Sequence, residues 1–415
     1  MPGERAHGDV APCQRRWGGP RFSLKRPAED DLRQILILAS SVVFLETFFL
    51  SVLAPLLPTY KSDLGLSDAQ VGLLSGAFAW GAVLGALPSG FLAQRFGPRR
   101  VVLAGLLLLS AASVAFGWVT QVGLLDLARL AQGLAVAVIW IGGFTWLVAA
   151  TPLDRRGSAI GTAVLGGVVG PFVGPAVGAL SAATNTRWVF TATLLLTLPL
   201  CVWVRRMKEP VPFQHQPLRE VSSAILSAPV MKAFVFLGVP AVGFGFVSVL
   251  LPLKIDALGG TAGLIALAVI AAGAIETVLA PIAGRWSDRR GRREPYLFGL
   301  AAYCTGLAAM AATDSPSACA IAFLLVGVGA GFLIIPGFTI LADAADHSGL
   351  AQSHGFALSS TAFSLGLAGG ALAGGAIASV GGTTSAYLAM IAVLGLLALY
   401  VGWAPPLGSF ELPRS

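Results

Sequence analysis

Charge is what this chain has least of. Only 11% of its 415 residues are Asp, Glu, Lys or Arg, against roughly 25% in an ordinary soluble domain. With 56% hydrophobic residues and a mean hydropathy of +0.80, it cannot cover itself with polar surface. A water-soluble globular fold is excluded, and lipid must be its main solvent. Cysteine is also sparse. Cys13, Cys201, Cys304 and Cys319 are widely spaced, which excludes a disulfide framework and a cysteine-based zinc site. There is no phosphate-cradling GxxxxGK[ST] loop and no cluster of metal ligands. The histidines His7, His215, His347 and His354 fall in the tail or in polar loops, and no nucleophile–base pair stands out. An ATP-driven pump and a membrane enzyme therefore lack support; no cofactor is expected. The first 34 residues lack the short apolar core of a secretory signal.

Long apolar runs dominate the rest. A membrane-spanning helix needs about 20 apolar residues, and the stretch from Ile35 to Ala404 accommodates twelve. The approximate spans are 35–57, 70–92, 100–119, 122–149, 158–181, 187–204, 231–253, 262–283, 296–312, 318–341, 353–378 and 385–404. Gly is abundant, at 51 residues, as suits close helix packing in lipid. The expected class is an all-α membrane protein.

The net charge of +7 does not point to nucleic acid, because the basic residues fall in alternate loops. They occupy the N-terminal tail (Arg15 to Arg33), the loops at Arg95 to Arg100 and at Arg155 and Arg156, the central stretch Arg205 to Arg219, and Arg289 to Arg293. The intervening loops hold only Lys61, Arg187 and Lys254 among acids. This is the positive-inside pattern. It places both termini and the central loop in the cytoplasm of a multi-pass protein of the plasma or inner membrane. The tenth loop has neither Lys nor Arg, so topology there follows parity alone.

A basic loop occurs twice. GFLAQRFGPRR starts at Gly90 and GRWSDRRGRRE at Gly284, 194 positions apart. Other segments repeat as well: SVLAPLLP from Ser51 with SVLLPLKI from Ser248, and GGFTWLVA from Gly142 with PGFTILAD from Pro336. Gly166, Gly170 and Gly174 recur 200 positions later as Gly366, Gly370 and Gly374. Their four-residue spacing gives one glycine face per helix. Several agreeing offsets imply two similar six-helix halves, 35–204 and 231–404, joined by a charged, Pro-containing linker at 205–230. Residues 1–34 and 405–415 read as cytoplasmic tails, the first basic and without fixed structure. Two halves leave a cleft between them, the usual design for carrying a solute across a bilayer.

Three motifs in order resemble the major facilitator superfamily, across nearly the whole chain. The first basic loop has the GxLAxRxG core. Arg129, Gln132 and Gly133 form an RxxQG motif in helix 4. Gly166, Gly170, Pro171 and Gly174 match the GxxxGPxxG motif of antiporter branches. Helix 1, LETFFLSVLAPLLPTY from Leu45, is similar to that of drug-efflux and vesicular amine transporters, with an acid at Glu46. The resemblance implies a twelve-helix bundle of two pseudo-symmetric halves. It also implies a secondary transporter exporting lipophilic or cationic organic compounds in exchange for protons, without a cofactor. In the family the acid of the basic loop stabilises one gate state. Here that position is Gln94, while Asp288 keeps the acid in the second half. Helix 11, where the amine branch carries an acid, has Ser359 and Ser360 instead.

Candidate residues follow. Glu46 has no other charge for about a dozen residues on either side, and Glu276 in helix 8 is similarly isolated. Burial penalises the charged form of a carboxyl group and a nearby cation favours it, so each is a candidate for proton coupling or solute binding. Arg129, some two turns inside helix 4, must find a partner in the bundle or snorkel to an interface, and Gln132 shares its face. Gly90, Gln94, Arg95, Gly97, Arg100, Gly284, Asp288, Arg289 and Gly291 form the gating loops, with the glycines expected to permit tight turns. Asp343, Asp346 and His347 read as solvated residues at the end of helix 10. Trp80, Trp140, Phe144, Thr145, Phe244 and Phe246 are candidates for a cleft wall. The expected partners are a small-molecule substrate, protons and the bilayer, with no nucleic acid and a monomeric chain. Two alternatives remain: a symporter or uniporter of one metabolite, and a non-transporting receptor or scaffold.

Overall fold

The computed structural model describes residues 29–152, 155–208, 227–348, 350 and 352–403. The expected tail up to residue 28, most of the linker (209–226) and the end from residue 404 lie outside the described residues, as do Cys13, His7 and His215. Every regular element among the described residues is helical. Among the described residues the helical runs divide into twelve segments: α1 (29–64), α2 (Asp68–Phe96), α3 (Pro98–Trp118), α4 (Val122–Ala150), α5 (Ser158–Ala183), α6 (Thr186–Arg206), α7 (Ala228–Ala257), α8 (Ala262–Arg290), α9 (Arg293–Ala312), α10 (Pro316–His347), α11 (352–381) and α12 (383–403).

The last two form one continuous run, Gln352–Trp403. Its apolar part, 47 residues, would be about 70 Å long as one helix, more than twice the roughly 30 Å of bilayer hydrocarbon. Gly382 resolves this. Its φ of +78° breaks the run and turns the chain back, so two crossings meet with almost no loop. The first tail is expected to extend to residue 34. The helix already begins at Glu29. Glu29, Asp30 and Asp31 lie at its N-terminus, where the helix dipole favours negative charge, and Asp31 pairs with Lys208 beyond α6 at 3.4 Å.

α1 is interrupted. Its first helical stretch ends at Ser51, and a 3₁₀ turn, Ala54–Leu56, leads into Leu57–Leu64. Pro55 and Pro58 lack the N–H that a continuing helix requires. The turn to α2 is well capped. Gly65 takes a left-handed conformation (φ +63°), and Ser67 with Gln70 forms a reciprocal capping box. Lys61 pairs with Asp68 at 2.5 Å.

Each half packs in the same manner. A methyl group on Gly166 would lie 2.2 Å from the Ser40 carbonyl oxygen, and one on Gly366 2.4 Å from that of Gly238. Thus α5 lies on α1, and α11 on α7, backbone against backbone. The Thr47 hydroxyl reinforces the first pair by donating to the Gly167 carbonyl at 3.2 Å. Between halves, α2 meets α11 and α5 meets α8. Gly72 and Gly375 touch almost directly, Gly76 faces Ala368, and Ser75 bonds Ser248 across the seam at 3.4 Å. These contacts lie toward the end opposite the basic loops.

The duplication extends to the basic turns. Gly97 and Gly291 occupy equivalent positions with φ of +83° and +82°. Arg99 donates to the Met207 carbonyl at the end of α6 at 3.3 Å, and Arg293 donates to the Gly402 carbonyl at the end of α12. Each loop therefore ties its third helix to its sixth. With ψ of 149° and 168°, both glycines sit in backbone territory essentially reserved for Gly, which costs other residues about 1–3 kcal/mol. Gly97→Ala and Gly291→Ala are each expected to lower stability by about that amount. Thermal unfolding of the two purified variants checks this; a loss in only one contradicts their equivalence.

Candidate functional site

A narrow cleft opens between the halves, part of it continuous with solvent. Its walls come from α1, α2, α4, α5 and α11. It runs from Glu46, Val136 and Ser364 in mid-bundle to Val148, Ile160 and Ala357 near the basic-loop end. Among the described residues, Glu46 is its one ionisable wall residue. The Trp140 indole, stacked on Phe144 with ring centroids 4.2 Å apart, lines the same cleft as Glu46. The remaining wall is mainly aliphatic, with hydroxyls at Thr145, Ser360, Thr361 and Ser364. No Lys, Arg or His forms an ion pair with Glu46 among the described residues. A lone carboxylate in such surroundings is costly unless paired or neutralised.

The structure gathers some of the expected residues here and places others elsewhere. Trp140, Phe144 and Thr145 line the cleft. Trp80 and Phe244 pack instead against Ala79, Leu367 and Ala368, where the halves meet, and Phe246 is in the core of the second half. Glu276 does not join Glu46. Its backbone lies against Gly331 of α10, inside the second half. Ser359 is buried and bonds the Gly355 carbonyl, whereas its neighbour Ser360 faces the cleft. The side chains of Gln94, Asp288 and His354 lie outside the described residues. Gly90 and Gly284 take no part in the turns: both are helical, with open space where a side chain would stand. Arg95, Arg100 and Arg289 are exposed at the loop face, Arg95 near the Phe96 ring at 5.4 Å. Asp343 is not simply solvated, because Arg292 pairs with it.

Arg129 is only 1% exposed, so it does not snorkel. It also finds no carboxylate partner among the described residues. Its guanidinium donates to the Phe49 carbonyl at 2.7 Å and to Gln132 Oε1 at 3.0 Å, and it lies 4.6 Å from the centre of the Phe78 ring. Gln132 in turn donates to Ser113 of α3 at 3.2 Å. Phe49 is in the last turn before α1 breaks, where carbonyls lack helical donors. A cation is favoured there, both as a donor and against the helix dipole. Arg129 thus fixes α1 three residues beyond Glu46. Arg129→Leu would strand the Phe49 and Gln132 oxygens, at about 1–3 kcal/mol each. A markedly lower unfolding temperature is expected for that variant in detergent; an unchanged one would show that the network contributes nothing.

The profile of the Major Facilitator Superfamily matches residues 39–275 and 233–413. The chain belongs to that superfamily. It is 30% identical over 247 residues to the chloramphenicol resistance protein of Streptomyces lividans, covering 58% of this chain and 63% of that protein. It is 26% identical over 132 residues to multidrug resistance protein 2 of Bacillus subtilis, covering 32% and 33%. It is 29% identical over 133 residues to the MFS-type transporter ppzB of Metarhizium rileyi, covering 31% and 28%. These matches span between 28% and 63% of the relatives' own lengths. Two solved structures share the fold at 15% identity and a TM-score of 0.73. One is a bacterial homologue of the human lysosomal transporter Spinster, inward-facing and unoccupied, matching 90% of this chain and 97% of that one. The other is a D-xylose–proton symporter, matching 92% and 99%. This superfamily member is therefore a multi-pass membrane protein with a resemblance to drug-resistance members.

Proposed function

We propose that this transporter exports lipophilic, cationic organic compounds in exchange for protons. One observation carries the reading: a single carboxyl group, unpaired with any cation among the described residues, faces an aromatic and aliphatic cleft between the halves. Such a group is satisfied by a proton or by the positive charge of a solute, and one excludes the other. The stacked Trp140 and Phe144 suit a flat cation through ring-face attraction. Names of relatives, including chloramphenicol and multidrug resistance proteins, support a drug-like substrate class. In this reading the basic loops face the cytoplasm, so the cleft is open to it, and rocking of the halves exposes Glu46 to the other side. Arg129, Gln132 and the α5 glycines hold α1 in position, and the basic loops govern the rocking. Glu276 would serve the second half as a structural or secondary proton site. The chain works as a monomer in the plasma or inner membrane.

The test is transport by purified protein in proteoliposomes with an imposed pH gradient, using a panel of cationic dyes, neutral lipophiles and sugars. Cationic dyes are expected to move against the proton gradient and to stop when an ionophore collapses it. Sugar movement with the gradient, and none of the dyes, would replace this reading with symport.

A further inference from the structure

A second depression lies on the outer surface, away from the cleft. It holds about 990 Å³ of open space between α7 and α12. Met231, Val235 and Val239 recur every four residues along α7, and Val393, Leu396 and Tyr400 form the facing stripe on α12. Both helices span the membrane and most of these side chains are exposed, so the groove faces lipid. Among the described residues its one cation is Lys232, exposed in the second turn of α7 and thus near the basic-loop end. The Tyr400 ring packs toward Phe236 with centroids 6.2 Å apart, walling the groove beside Lys232.

We propose that this groove holds an anionic phospholipid of the leaflet on the basic-loop side. One acyl chain lies between α7 and α12, and the headgroup rests on Lys232. Charge complementarity selects the occupant. From Lys232 to Val239 the groove runs about 10 Å along the helix, deep enough to seat the upper part of an acyl chain while the phosphate stays at the interface. A basic group at the mouth of an interhelical groove favours a headgroup with net negative charge.

Native mass spectrometry of the full chain in detergent tests this, with phosphatidylglycerol and phosphatidylcholine of identical acyl chains as probes. The unmodified protein is expected to retain phosphatidylglycerol preferentially. Lys232→Gln should weaken that retention about fivefold, the equivalent of roughly 1 kcal/mol for one lysine near an anionic surface, and leave phosphatidylcholine unchanged. Leu396→Trp, which fills the groove, should reduce retention of both lipids. Arg290→Gln, at an exposed basic position outside the groove, should change neither. Equal retention by Lys232→Gln, an equal loss in Arg290→Gln, or full retention by Leu396→Trp each overturns the proposal; thermal unfolding shows that every variant is folded.

Discussion

Glu46→Gln is expected to abolish uphill, gradient-driven efflux while sparing exchange of the same solute across a membrane without a gradient. The amide keeps the size and hydrogen-bonding capacity of the acid, so the shape of the cleft beside Trp140 persists. What disappears is the mutually exclusive choice between proton and cation. Coupling of this kind is reciprocal and typically amounts to about 1–3 kcal/mol, or 5- to 150-fold in affinity. Solute binding by the variant should therefore become insensitive to external acidification, and accumulation ratios should fall to the level of empty liposomes. Dye flux in proteoliposomes with and without a pH gradient measures both quantities. Unchanged uphill efflux by the variant would remove Glu46 from the coupling mechanism. Arg129→Leu differs in kind, because it acts through stability and the placement of α1 and does not remove the titrating group.

Gly133→Leu should give the largest loss of folded protein. A methyl group on Gly133 would stand 1.7 Å from the Phe78 carbonyl oxygen, and one on Gly81 would stand 1.9 Å from that of Leu130. The two glycines interlock α2 and α4, and every atom struck is backbone, so no rotamer change relieves the clash. Overpacking of a core already costs about 1–3 kcal/mol where side chains can adjust, and here the helices themselves must separate. That separation would also pull the Phe78 ring away from Arg129. Gly395→Leu is the matched control, since nothing lies within 4 Å of a side chain there. Yield and monodispersity after purification report the difference; a well-folded Gly133→Leu protein would show that this contact is not tight in the membrane.

Much of the architecture could be read from residue order alone. Twelve spans, two halves and the paired basic turns follow from hydropathy, charge alternation and repeated motifs, because the bilayer imposes length and the potential across it imposes sign. The limits were local. Several helices are apolar on every face, so periodicity does not tell which side looks into a cleft. That is why Trp140 and Phe144 line it while Trp80, Phe244 and Phe246 do not. The partner of Arg129 was hidden for another reason. It is a main-chain oxygen freed where α1 breaks ahead of Pro55, and a carbonyl carries no signature in the residue code. Thr361 and Ser364 were missed because single hydroxyls on an apolar helix commonly bond the preceding turn, as Thr361 does with Ala357. Gly382, by contrast, marked its turn openly within a Gly-Gly-Thr-Thr stretch between two apolar runs.

The seam where Gly72 meets Gly375 has a mechanical consequence. Interlocking side chains resist parting until rotamers change, whereas two smooth ridges of main chain separate without any such rearrangement. Under the proposed rocking, the Gly72–Gly375 part of the seam would part by losing dispersion contacts, with the Ser75–Ser248 hydrogen bond the directional link to break.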